Sequence, residues 1–378
     1  MNYKNIILYC FKKNTYFYNF LLEHYKPSLE QAIVSRIEDL KKDDTLQDLS
    51  NLIEFRKRIR TDNLPFYSHN INQTNFRLYG ISQSLFGNKN KNIYFLPSVE
   101  HGLIFQDTNW SDTSDTVRAS CVTFGPFRKK ILRRFYKTPI FEVGPYIQYA
   151  DDYYTVSKFM EWKQKLGRTL LVFPSHGTNQ TQINLEEKIY LNQISNLAKK
   201  FDSVLVCAFW WNLEDNLITN FSKQGYKIVS AGFREDPNFL RRLKTIIKLS
   251  DVVVCDSIGT HVGYCYSLGK NVNILSINTK YTGELPLNNE FTEKHKNYIK
   301  DIINSENPLK IKPVFDYYWG NNICLSKKEL NYIMEITREI TLRGKYWLKN
   351  YDKASQDLLN YYKTNNITKY DLLLKSLK

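Results

Sequence analysis

The sequence predicts an α/β protein made of two Rossmann-like halves, with helical extensions at both ends. Three observations predict it. Between residues 169 and 275, strand-like apolar runs alternate with amphipathic helical stretches. The clearest of them, such as LLVF and VVVC, are continuously apolar, the pattern of strands buried on both faces of a parallel sheet. Residues 61–150 carry a weaker form of the same alternation. Right-handed crossovers turn such an alternation into a doubly wound sheet.

The elements follow in chain order. Residues 28–60 read as helical: Pro27 precedes Ser28, Gln31 completes a Ser-x-x-Gln capping box, and Ile33, Ile37 and Leu40 recur at helical spacing. Residues 92–97 (NIYFLP) read as a buried strand running into a loop over 98–105. Residues 121–124 (CVTF) form a second strand, then Gly125-Pro126 opens a basic helix through residue 135. A third short strand, 140–143, closes at Gly144-Pro145. After Gly167 come strands over 169–173 (TLLVF), 203–210, 226–231, 252–255 (VVVC) and 272–275. Helices over 185–200, 216–224, 237–249 and 259–268 separate them, with Pro237 in the first turn of one and Gly269 stopping another. Residues 326–378 are helical and rich in Lys and Tyr. The resulting divisions are 1–60, 61–150, 151–320 and 321–378.

Composition excludes several classes. The 378 residues suggest two or three domains at roughly 100–200 residues each. Hydrophobic residues at 42% and charged residues at 24% are those of a globular chain. No apolar run reaches the roughly 18 residues of a membrane-spanning helix, and the apolar stretch near the N-terminus is too short for a secretory signal. Six scattered cysteines without a Cys-x-x-Cys pair point to reduced, cytoplasmic thiols. Fifty-three Lys+Arg against 38 Asp+Glu leave a net charge of +15, compatible with nucleic acid, an anionic membrane face or a phosphate-bearing substrate.

In an open parallel sheet, ligands bind beyond the carboxyl ends of the strands. Four strand-end loops therefore stand out. Asp256-Ser257-Ile258-Gly259-Thr260-His261 opens a helix whose free N–H groups and dipole favour an anion. It reads equally as a plain cap, with Asp256 or Ser257 meeting those N–H groups. Ser175, His176, Gly177 and Thr178 form a second donor-rich loop on the same sheet edge. Glu100-His101-Gly102 places two proton-transfer groups beside a flexible turn. Arg234 either clamps a phosphate or pairs with Glu235 or Asp236. Asp-x-Asp, His-x-x-x-His, Gly-x-Gly-x-x-Gly and the Walker loop are all absent.

Residues 250–275 (SDVVVCDSIGTHVGYCYSLGKNVNIL) resemble the donor-diphosphate segment of glycosyltransferases of the GT-B fold. LVFPSHGT resembles the first strand and loop of the same domain, and EHG resembles the His-Gly loop that supplies the acceptor-side base in polymer-building members. VGPYIQYA resembles the end of the first domain entering the linker, with a hinge near residues 144–150. The resemblance implies an acceptor domain over 61–150 and a nucleotide-sugar donor domain over 151–320. It implies transfer of a sugar to a glycan or lipid-linked acceptor of a surface polysaccharide, lipopolysaccharide or capsule. His101 is then the base and Glu100 its orienter or substitute. Ser175, His176, Gly177, Thr178, Asp256, Ser257, Gly259, Thr260 and His261 line the donor site, with Arg234 assisting. No metal is expected, the nucleotide sugar being a co-substrate. The helix over 259–268 lacks the glutamate that holds the donor ribose in many retaining members, which favours an inverting enzyme. A cytoplasmic enzyme of this kind can dock peripherally on the inner membrane face through residues 127–136 (FRKKILRRFY), which read equally as a solvated helix face, and no nucleic acid is expected. The rivals are a CDP-polyol phosphotransferase of the same frame, a nucleotide-sugar epimerase and a basic nucleic-acid-binding protein.

Overall fold

A computed structural model describes residues 49–58, 78–87, 95–109, 119–177, 181–234, 236–277, 279–283, 289–344 and 350–378. The capping box at Ser28 and Gln31, the apolar positions Ile33, Ile37 and Leu40, and both Thr178 and Glu235 lie outside the described residues.

The first part begins with α1 (Leu49–Arg58), a 3-10 turn (Leu78–Gly80) and α2 (Ile81–Phe86). It continues with β1 (Ser98–Val99), β2 (Cys121–Thr123), α3 (Pro126–Leu132) and β3 (Ile140–Glu142). The strands form a small parallel sheet in the order β1-β2-β3. The sequence expects its first strand at 92–97; residues 92–94 lie outside the described residues, and among those described the ladder begins at Ser98. Ser98 N–H donates to Ser120 O (2.9 Å) and Glu100 N–H to Val122 O (3.1 Å). Pro97 has no N–H to add to the ladder, so pairing starts after it.

The second part runs α4 (Val156–Leu166), β4 (Thr169–Phe173), β5 (Thr181–Leu185), α5 (Glu187–Ala198), β6 (Ser203–Cys207) and α6 (Asn216–Lys223). Then come β7 (Lys227–Val229), α7 (Phe239–Leu249), β8 (Val252–Cys255), α8 (Thr260–Ser267) and β9 (Asn271–Ile274). Five parallel strands stand in the order β7-β6-β4-β8-β9. The chain winds outward from β4 through β6 to β7, then returns to the other side of β4 to lay down β8 and β9. This is the Rossmann-like doubly wound order. β4 is buried along its whole length. Leu170 and Val172 face a layer that contains Tyr190 and Ile194 of α5 and Ile218 and Phe221 of α6. Leu171 and Phe173 face the opposite layer, with Leu243 and Ile246 of α7 and Val262 of α8. Each such side chain contributes roughly 1.5–3 kcal/mol on burial.

β10 (Thr279–Gly283) pairs antiparallel with β5 in a separate two-stranded ribbon, with Thr279 opposite Leu185. The sequence reading placed Leu185 in a helix; it is the last residue of β5. The chain ends in α9 (Glu290–Asn304), α10 (Pro308–Trp319), α11 (Lys327–Arg343), α12 (Tyr351–Thr364) and α13 (Tyr370–Leu377). The helical tail is as expected. No helix among the described residues is long and apolar enough to cross a membrane. None of the five described cysteines is in a disulfide.

One apolar cluster joins Val99, Val122 and Phe141 of the small sheet, Leu171 and Val253 of the large one, and Trp319, Ile336, Leu358 and Leu373 of the tail. The segment expected to hinge is packed: Tyr146 and Ile147 are fully buried in a 3-10 turn. Gly144 shows how closely the tail approaches. Its φ is +74°, and a Cβ there would lie 2.2 Å from the Ile323 carbonyl oxygen.

The basic stretch over 127–136 turns most of its cations inward. Arg128 is fully buried, Lys129 bonds Glu142 (3.0 Å) and the Lys375 carbonyl (2.8 Å), and Arg133 holds the carbonyls of Tyr136, Thr138 and Ser376. Lys130, Arg134, Phe135 and Lys137 remain at the surface.

Candidate functional site

The winding direction of the large sheet reverses between β4 and β8. The helices leaving these two strands go to opposite sides, so a crevice opens above their carboxyl ends. Two of the loops singled out from the sequence meet there. Asp256 Oδ1 accepts both the N–H of Ser175 (2.8 Å) and its hydroxyl (3.0 Å), so the β8 loop grips the β4 loop directly. Asp256 Oδ2 is buried and has no hydrogen-bond partner. Burial pushes the carboxyl up to about 6, against the two Ser175 bonds and the backbone N–H of Asp256 itself, which favour its ionised form.

α8 begins at this crevice with Gly259 as its N-cap, in extended conformation and without a side-chain cap. Asp256, one of the two cap candidates, is taken up by Ser175 instead. Thr155 caps α4, Asn289 caps α9, Asn307 caps α10, and Ser326 with Glu329 forms a full capping box on α11, whereas α8 shares its uncapped start with α2, α3, α5, α6, α7, α12 and α13. The uncapped amides and the helix dipole leave a positive potential at the crevice. A Cβ on Gly259 would stand 3.0 Å from the His261 imidazole. His261 packs on Phe173, ring centres 5.1 Å apart, and its Nε2 is buried without a partner. Burial, helped by the neighbouring His176, lowers it to about 4, so the ring is neutral at pH 7. His176 stacks on Phe209 at 4.2 Å, with its Nδ1 3.2 Å from the Gly177 carbonyl.

The third loop comes from the small sheet and meets the same helix. Leu103 N–H donates to Thr260 Oγ1 (2.8 Å), and a Cβ on Gly102 would lie 3.1 Å from that oxygen. His101 is half-buried beside Tyr79, ring centres 5.8 Å apart. Glu100, expected to share proton transfer, is committed elsewhere. It is fully buried and takes Arg128 Nη2 (2.6 Å), Arg128 Nε (3.0 Å) and the Thr123 hydroxyl (2.5 Å). Arg128 also donates to the carbonyls of Gln106 and Thr108, at 2.9 and 3.1 Å. This buried pair clamps the chain on both sides of His101.

Arg234 stands beyond β7, on the far side of β6 from the crevice. Its carbonyl takes the Tyr79 N–H, which ties its turn to the His101 loop. Asp236, one acid the sequence offered it, pairs instead with Arg242, both fully buried. A residue group missed from the sequence is the aromatic run Phe209-Trp210-Trp211, directly beyond β6 and beside His176. Its place after a buried strand was the signal that could have found it. Among the described residues, no group of three or more His, Cys, Asp or Glu is placed to hold a metal ion.

The arrangement brings together an anion-attracting helix end, the buried Asp256 carboxyl that ties the β8 and β4 loops, and the loop that carries His101. Comparisons with family models, curated proteins and solved structures returned no match.

Proposed function

We propose that the protein is a glycosyltransferase using a nucleotide-activated sugar, of two-domain GT-B design, acting on a glycan or lipid-linked acceptor of a surface polysaccharide. The observation that carries this reading is the meeting of the His101 loop with the uncapped end of α8, through Leu103 and Thr260. An inverting transfer needs a base on the acceptor and donors on the leaving diphosphate, and these two features supply them. His101 removes the proton of the acceptor hydroxyl as that oxygen attacks the anomeric carbon. The amides of Gly259, Thr260 and His261 take the charge growing on the leaving diphosphate. Ser257 adds a hydroxyl donor, while the Ser175 hydroxyl holds Asp256. Glu100 has moved from proton transfer to positioning: with Arg128 it fixes the His101 turn.

A thermal-shift panel of UDP, GDP, CDP, CMP, ADP and dTDP, with and without EDTA, tests the reading. One diphosphate at about 100 times its Kd stabilises the fold by about 2.7 kcal/mol. A shift with CDP and CMP together favours polyol-phosphate transfer instead, and no shift with any nucleotide ends both. With the donor known, His101→Gln keeps nucleotide affinity and loses roughly 100- to 10,000-fold in kcat. An unchanged kcat removes His101 as the base.

A further inference from the structure

We propose that Tyr79 is a positioning residue, held in a left-handed backbone conformation so that its ring fixes the imidazole of His101. The proposal rests on the reading of His101 as the base, and it names what aims that ring.

Among the described residues, three other than glycine have a positive φ: Tyr79 (+57°), Glu306 (+52°) and Asn366 (+51°). Glu306 and Asn366 stand one residue past the C-caps of α9 and α12, where left-handed residues are common. Tyr79 closes no such helix. It lies in the 3-10 turn ahead of α2, next to Gly80, which is also left-handed at +66°. For a bulky residue this conformation is costly and persists only where the surroundings over-determine it. Here three contacts do so. The Tyr79 N–H donates to the carbonyl of Arg234. A Cβ on Gly80 would stand 2.3 Å from the Pro237 carbonyl oxygen, so the turn is pressed against the chain entering α7. The Ser84 hydroxyl, from α2, donates to the Gly80 carbonyl (2.9 Å).

The outcome is a ring set between two aromatic neighbours from different parts of the molecule. Phe239, the first residue of α7, meets it edge-on at 4.7 Å, and His101 meets it at 5.8 Å with the planes tilted by 32°. Both separations are those of paired aromatic rings. The Glu100–Arg128 pair already fixes the backbone around His101. It leaves the imidazole its own torsions, and the Tyr79 ring, backed by Phe239, restricts those. A base that must meet one hydroxyl depends on such restriction, since a misplacement of about 1 Å costs roughly 100-fold in rate.

The test separates the ring from the backbone strain. Tyr79→Phe keeps both, Tyr79→Ala loses the ring and keeps the strain, and Tyr79→Gly loses both. In urea titrations, Tyr79→Gly is expected to have an unfolding constant at least about fivefold below that of Tyr79→Ala. In protein labelled in its histidine rings, the His101 signals are identified by their loss in His101→Gln. Wild type and Tyr79→Phe are expected to show one set of His101 signals, displaced by the neighbouring ring and linked to it by Overhauser contacts. Tyr79→Ala and Tyr79→Gly are expected to lose that displacement and to average over rotamers. With the donor identified from the nucleotide panel, both are expected to lose roughly 10- to 100-fold in kcat, with KM for the donor unchanged and Tyr79→Phe close to wild type. A merely structural tyrosine behaves otherwise: its glycine variant, with stability regained, regains the His101 signals and the turnover as well. That result overturns the proposal. So do His101 signals unmoved in Tyr79→Ala, a Tyr79→Phe variant that behaves as Tyr79→Ala, or equal stability of the alanine and glycine variants. The base reading fails separately: an unchanged kcat in His101→Gln removes it, as does binding by no nucleotide, while the His101 signals still decide whether Tyr79 sets the ring.

Discussion

Asp256 and His261 flank Gly259, and burial moves their protonation in opposite directions. Asp256 has a folded pKa of about 6, above its ordinary value, so the folded state keeps a proton that the unfolded chain has released. Its stabilising effect is full below about pH 4 and is lost as pH rises through 6. His261, lowered to about 4, does the reverse: its effect is full above about pH 6.5 and is lost as pH falls through 4. At 1.36 kcal/mol per unit each amounts to roughly 3 kcal/mol, so between pH 4 and 6 they largely offset. Urea titrations over that window should therefore separate two variants. Asp256→Asn exposes the histidine term and gains stability with rising pH, while His261→Gln exposes the carboxyl term and loses it. Parallel slopes in the two variants would refute the assignment. Glu100→Gln strands Arg128 in the core and should cost about 3–5 kcal/mol, read as a fall in Tm. Replacing both partners together, as Glu100→Gln with Arg128→Met, should recover part of it.

At the scale of the elements, the tightest contact lies between α8 and α10. A Cβ on Gly263 would stand 2.0 Å from the indole of Trp319. Gly263→Ala should destabilise by at least about 1–3 kcal/mol, and Trp319→Leu should relieve it in a double-mutant cycle. Additive losses would mean that the indole simply moves aside. The same scale shows what sequence could reveal. β4 and β8 were readable to the residue because both faces are largely buried and all positions but Thr169 are apolar. Of the apolar run NIYFLP, the described part, Phe95 to Pro97, joins no ladder; the less apolar Ser98-Val99 pair does. β5 and β10 went unseen: they are polar, pair with each other away from the two sheets, and are distant in sequence. In the site, the donor-rich strand ends were visible, as was their shared crevice. The Ser175–Asp256 grip, the Glu100–Arg128 pair and the Asp236–Arg242 pair were not, because each partner is chosen by the fold rather than by local spacing.

At the scale of the whole molecule, the apolar cluster that runs from the small sheet through the large sheet to the tail makes the parts depend on one another. Calorimetry should give one cooperative unfolding transition for the two sheets and the tail together, with calorimetric and van't Hoff enthalpies in agreement. Two resolved transitions would show that the halves melt independently. The placement of α13 adds a consequence in time. Lys129 and Arg133, beside the small sheet, hold the carbonyls of Lys375 and Ser376, which the ribosome adds 246 and 243 residues later. The small sheet is thus translated early and finished late. It must wait, with one side uncovered, for a segment that does not yet exist. A nascent chain arrested before residue 370 should stay sensitive to protease at the α3–β3 turn, whereas the released chain should not.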